Sequence, residues 1–100
     1  MKIMYHATDY DNVLGIMEEG IKPGADGLVY LCEDALDAMK FPYIRGVKHM
    51  VTCKIKLSKR EWTRVMETFD HSPAFFQCRA FGYQGVIPPE NILEYMEYNL

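Results

Sequence analysis

The hydrophobic period of this chain switches several times, from two to 3.6 and back, and no run of either period is long. Met50–Leu57 (MVTCKIKL) alternates, which places Val51, Cys53, Ile55 and Leu57 on one face of a strand. Near the start, Val13, Leu14, Ile16 and Met17 cluster instead at helical spacing. Asp9 or Asp11 can cap that helix, and Gly20 stands where a left-handed residue would close it. Strands interleaved with short helices follow from such switching.

The remaining segments extend the pattern. Lys2–His6 is apolar enough for a strand, and Leu28–Cys32 is a nearly continuous apolar run that predicts burial on both faces. Between them, Lys22–Gly27 is turn chemistry throughout. Glu33-Asp34 opens a second helix carrying Ala35, Leu36, Ala38 and Met39, closed by Phe41-Pro42, with a loop over Tyr43–Lys48. Ser58 and Glu61 form a capping-box signature, which predicts a third helix packing Trp62, Val65, Met66 and Phe69 on the sheet. A turn at Asp70–Pro73 then leads to a strand over Ala74–Phe81. Gly82 and Gly85 punctuate the chain before Val86–Glu90 ends a strand, and Ile92–Tyr98 suits a last strand or a short helix, of which the strand is favoured. The order β-α-β-α-β-α-β-β-β predicts one α+β domain over residues 1–100, with short peripheral helices around a mixed sheet.

Composition narrows what such a domain can do. A net charge of −3 gives no electrostatic footprint for non-specific nucleic-acid binding. No signal-peptide h-region and no membrane-length apolar run is present. The three cysteines, Cys32, Cys53 and Cys78, are far apart and odd in number, so buried free thiols in a reduced, cytoplasmic protein are expected. His49 and His71 have no ligand-like spacing to His6 or to a cysteine, and no metal site is expected. Ser58 and Ser72 lack the Gly-x-Ser-x-Gly elbow of a serine hydrolase.

One ordered set of short motifs remains. A strand ends in Tyr5-His6-Ala7-Thr8, and the first helix ends in Glu-Glu-Gly-Ile-Lys-Pro. Val29-Tyr30-Leu31 follows a Gly-rich turn, and Gly85-Val86-Ile87-Pro88-Pro89-Glu90-Asn91-Ile92 lies near the end. From Tyr5 to about Ile92 this set resembles the ADP-ribosyltransferase superfamily in its short bacterial and phage-type versions. The resemblance implies a split mixed β-sheet core that binds NAD in a cleft and breaks the nicotinamide–ribose bond, with no metal. Catalysis then needs positioning and electrostatic support for an oxocarbenium-like state. It also implies that His6 holds ribose hydroxyls, that Thr8 adds a hydroxyl nearby and that Tyr30 packs against the nicotinamide. ADP-ribose would pass to a macromolecular acceptor, or to water.

The family's late-strand carboxylate has no counterpart here, because no acidic residue lies between Asp70 and Glu90. Gln77 is the best match to that position and Gln84 the second; a glutamine can hydrogen-bond a ribose hydroxyl but cannot act as a base. Arg79, in a strand otherwise made of Phe, Cys and Ala, is a candidate for gripping a phosphate. The RNA 2′-phosphotransferases of the same superfamily use basic residues in this cleft in that way. A second expectation, from a different class, is a non-catalytic interaction module on the same fold, acting by protein or nucleotide binding. It draws on the missing carboxylate and the aromatics Phe75, Phe76, Phe81 and Tyr83.

Overall fold

The computed structural model describes residues 1–68 and 79–100. Strand β1 (Lys2–Asp9) leads through a 3₁₀ turn (Tyr10–Asn12) into helix α1 (Val13–Glu19). Strand β2 (Leu28–Cys32), helix α2 (Ala35–Ile44), strand β3 (His49–Leu57) and a single helical turn, α3 (Lys59–Trp62), follow. Strands β4 (Val65–Thr68) and β5 (Ala80–Gln84), a 3₁₀ turn (Pro89–Asn91) and strand β6 (Ile92–Asn99) complete the described chain. The strands form one six-stranded sheet in the order β4-β5-β2-β1-β3-β6.

Every pairing in that sheet is antiparallel, so the expected mixed sheet is corrected. Helical connections suggested parallel neighbours. However, α2 carries the chain from β2 to β3 across β1, which lies between them. The parallel partners of that crossover therefore never touch.

The sheet's halves are unequally joined. β1 pairs with β3 along its whole length, from Lys2↔Leu57 to Asp9↔Met50. It meets β2 at one register pair, Tyr5↔Cys32. Beyond that pair the two strands part and leave a gap in the sheet.

Three local expectations are also corrected. The third helix, expected after Ser58 to carry Trp62, Val65, Met66 and Phe69, is one capped turn followed by strand β4, and Phe69 lies outside the described residues. Ser58 and Glu61 do form the reciprocal capping box, but Val65↔Tyr83 and Thr68↔Ala80 pairing then claims the chain for the sheet. Phe41-Pro42 does not close α2, which runs on to Ile44. Near a helix end, Pro42 removes only the bond to the carbonyl one turn back. The amides of Arg45, Gly46 and Val47 close the turn on the carbonyls of Pro42 and Tyr43. β1 runs three residues past His6, which makes Thr8 a strand residue paired with Val51.

Each face of the sheet buries its own cluster. On one, Met4, Val29, Leu31, Ile55 and Phe81 pack with Val13 and Ile16 of α1 and with Ile21 and Ile87. On the other, Ala7, Cys32 and Met50 pack with Ala38 and Met39 of α2. Burying each such large aliphatic side chain stabilises the fold by about 1.5–3 kcal/mol. Gly20 holds α1's exit against the first cluster. Its φ of 84° is positive, as expected at that position, and an added Cβ would lie 2.2 Å from the Ile87 carbonyl oxygen. That close approach lets Ile21 and Ile87 exchange both backbone hydrogen bonds, at 2.9 and 3.0 Å.

Candidate functional site

Where the pairing of β1 and β2 stops, a side chain takes over. Nδ1 of His6 lies 2.7 Å from the Tyr30 carbonyl oxygen. A carbonyl only accepts, so Nδ1 carries the proton and Nε2 of the neutral ring is an acceptor. Among the described residues Nε2 has no hydrogen-bond partner. Burial lowers the His6 pKa below its ordinary value and the positive charge of Arg45 lowers it further, while the bond to Tyr30 opposes them. The imidazole is therefore neutral at pH 7.

Two adjoining concavities open at this point. One, of about 300 Å³, lies on the α1 side and is lined by Asn12, Gly15, Ile16 and Glu19. The other, of about 250 Å³, lies on the α2 side and is lined by Leu28, Tyr30, Phe41 and Arg45. His6, Thr8 and Lys22 belong to both. They form one cleft through the split in the sheet.

The polar groups of the cleft are held in place by neighbours. Nδ2 of Asn12 donates to Oγ1 of Thr8 at 3.0 Å, which leaves the Thr8 proton to donate elsewhere. The Tyr30 hydroxyl donates to Asp26, whose other carboxylate oxygen accepts from the Leu28 amide at 3.1 Å. Those two bonds, that from Tyr30 foremost, hold the Asp26 carboxyl below the usual carboxylate range. Asp26 is thus an anion fixed to the Tyr30 ring. Lys22 and Arg45 supply the positive charge; Lys22 also reaches Glu19 at 2.9 Å on an exposed surface.

The structure brings His6, Thr8 and Tyr30 together and moves Arg79 elsewhere. Arg79 stands just before β5, beyond the Cys32↔Ala80 pair that ends its pairing with β2, and lines neither concavity. There Arg79 is 62% exposed, donates to both carboxylate oxygens of Glu67 at 3.1 and 3.2 Å, and lies over the Phe81 ring. A surface carboxylate satisfies it, and the expectation of a cofactor contact at Arg79 is corrected. Gln77 lies outside the described residues. Gln84 is exposed at the end of β5, opposite Leu28, and lines neither concavity. No residue of β5 carries a carboxylate.

Lys22, Arg45, Asn12 and Gly15 were not singled out from the sequence. Asn12 meets Thr8 because the 3₁₀ turn folds the chain back on the end of β1. Lys22 and Arg45 reach the cleft from a turn and from the end of α2, through packing that no local pattern encodes. Among the described residues no group of three His, Cys, Asp or Glu side chains gathers. None of their helices is long and apolar enough to cross a membrane. No protein-family model matches this sequence, and no curated protein matches it.

Proposed function

We propose that the chain binds NAD in the split between β1 and β2 and serves as an ADP-ribosyltransferase, passing ADP-ribose to a macromolecular acceptor or to water. One observation carries this reading. The sheet opens after a single β1–β2 pair, with His6 and Thr8 on one wall and Tyr30 on the other.

The donor set suits the ligand. The free Nε2 of His6 accepts a ribose hydroxyl, and the Thr8 hydroxyl, already accepting from Asn12, donates to another ligand oxygen. The Tyr30 ring offers a surface for the nicotinamide. Lys22 and Arg45 stand where a diphosphate needs positive charge. NAD supplies the labile nicotinamide–ribose bond; the chain's part is to orient it and to avoid opposing the positive charge that develops on the ribose. A protonated His6 would repel that charge, and burial keeps the ring neutral. The ionised Asp26, bonded to Tyr30, places negative charge beside the same wall.

The absence of a carboxylate from β5 favours one second reading. In it, the cleft holds the nucleotide without turning it over, and the protein acts as a binding module. Calorimetry with NAD, with nicotinamide release followed in the same sample, separates the two. Binding with release supports the enzyme, and binding without release supports the module. Wild-type affinity in a folded His6→Ala variant would refute the assignment of His6, and no binding to the wild type would refute both readings.

A further inference from the structure

Gly15 lies inside α1, where glycine weakens a helix relative to alanine. Two ordinary reasons for a helical glycine are missing. Its backbone is not in the positive-φ region that Gly20, Gly27, Gly46 and Gly85 occupy. Nor does packing exclude a side chain, because a Cβ built at Gly15 meets nothing within 4 Å. Gly20 is the contrast, with a backbone oxygen 2.2 Å from the same construction. What distinguishes Gly15 is its direction. Asn12, Gly15, Ile16 and Glu19 are spaced as one helical face, and that face is the wall of the 300 Å³ concavity. A side chain at Gly15 would enter the space facing His6 and Thr8.

We infer that Gly15 is a specificity-determining residue: its missing side chain admits the portion of a dinucleotide lying on the α1 side, away from Tyr30. The inference rests on the NAD reading and adds a size limit to it. A ligand confined to the Tyr30 side never meets α1 and is indifferent to what stands at Gly15. A ligand that extends through the split runs against the helix backbone there, so any side chain takes up its room. Helix stability and ligand affinity then pull in opposite directions at this one position, which a purely structural glycine would not produce.

Gly15→Ala and Gly15→Leu test this against the wild type, with thermal melting of the free proteins and calorimetric titration of NAD and of nicotinamide mononucleotide. Both variants should melt at or above the wild-type temperature, Gly15→Ala by about 4 °C above. Gly15→Leu should lose at least about tenfold in NAD affinity, and Gly15→Ala should lose less in the same direction. Nicotinamide mononucleotide should bind all three proteins within about twofold. Unchanged NAD affinity in Gly15→Leu overturns the inference and leaves the NAD reading standing, as does an equal loss for both ligands. A Gly15→Ala variant that melts lower overturns the premise that the backbone does not need glycine. A wild type that binds neither ligand refutes the NAD reading, and this inference with it.

Discussion

Acidification through the mid-sixes should destabilise this protein, with His6 as the cause. The folded ring gives its Nδ1 proton to the Tyr30 carbonyl, and burial, aided by Arg45, holds its pKa below the 6.5 of a free histidine. Below that value the unfolded chain takes up a proton that the folded chain refuses, so stability rises with pH across this range. The stabilisation from a neutral His6 is complete above about pH 6.5, is lost as pH falls, and stops changing once the folded ring itself protonates. One proton corresponds to a slope of at most about 1.4 kcal/mol per pH unit. Integrated from pH 6.5 to 5.5, with the folded ring still neutral, the loss reaches at most about 1 kcal/mol. For a domain of 100 residues that is a fall in melting temperature of up to about 4–8 °C. The assay compares melts of the wild type and His6→Asn over this window. The asparagine amide can still donate to Tyr30 but does not titrate, and His49 and His71 are present in both proteins and cancel. A wild-type minus variant difference that stays constant with pH would refute the argument, as would one that grows in favour of the wild type on acidification.

Four other outcomes rest on particular contacts. Gly20→Ala puts a methyl 2.2 Å from the Ile87 oxygen at a φ of 84°, and should lose about 3 kcal/mol or more in urea unfolding; a loss under about 1 kcal/mol would contradict the close approach. Thr52 is fully buried with its hydroxyl unpartnered, so Thr52→Val should gain about 1 kcal/mol in the same assay, and a loss would mean that the hydroxyl has a partner. Burial pushes the Cys53 thiol up to about 12, so a thiol reagent should label it in denaturant and not in the native protein at pH 8; rapid native labelling would refute its burial. Arg45→Gln should raise the pKa of His6, read by NMR titration of the ring, and an unchanged or lower value would remove Arg45 from its surroundings.

Much of the fold was legible because the signals were local. The alternation of Met50–Leu57, the apolar run Leu28–Cys32, the Ser58–Glu61 box and the closing Gly20 each read correctly within a few residues. The errors arose where tertiary pairing decided between close alternatives. Val65 and Met66 suit a helix face as well as a strand, and β5 settled the matter by pairing with them. Strand direction was likewise hidden, since a helix between two strands says they run the same way and not that they are neighbours.

The site shows the same limit at finer grain. His6 and Thr8 were picked out by the ordered set of motifs and line the cleft, whereas Arg79 stands beyond the Cys32↔Ala80 pair, among Glu33 and Glu67, a distance along the strand that no local pattern encodes. Parity gives the split its meaning. Tyr5 pairs with Cys32, and both belong to the cluster on the α2 face, as Tyr30 does by its even spacing from Cys32. His6 and Thr8 alternate with Tyr5 and so share the opposite face with Met4. In a continuous sheet these side chains would be separated by the backbone layer and could not meet one ligand. They line the same cleft because β1 and β2 part immediately after Tyr5↔Cys32, and Lys22 borders the opening on both sides. A ligand that fills both concavities, reaching from the Tyr30 ring to the α1 face, must pass through the sheet. Such a ligand is elongated, whereas a compact one can meet His6 and Tyr30 within the α2-side concavity alone, so the two classes separate at Gly15, which borders only the other.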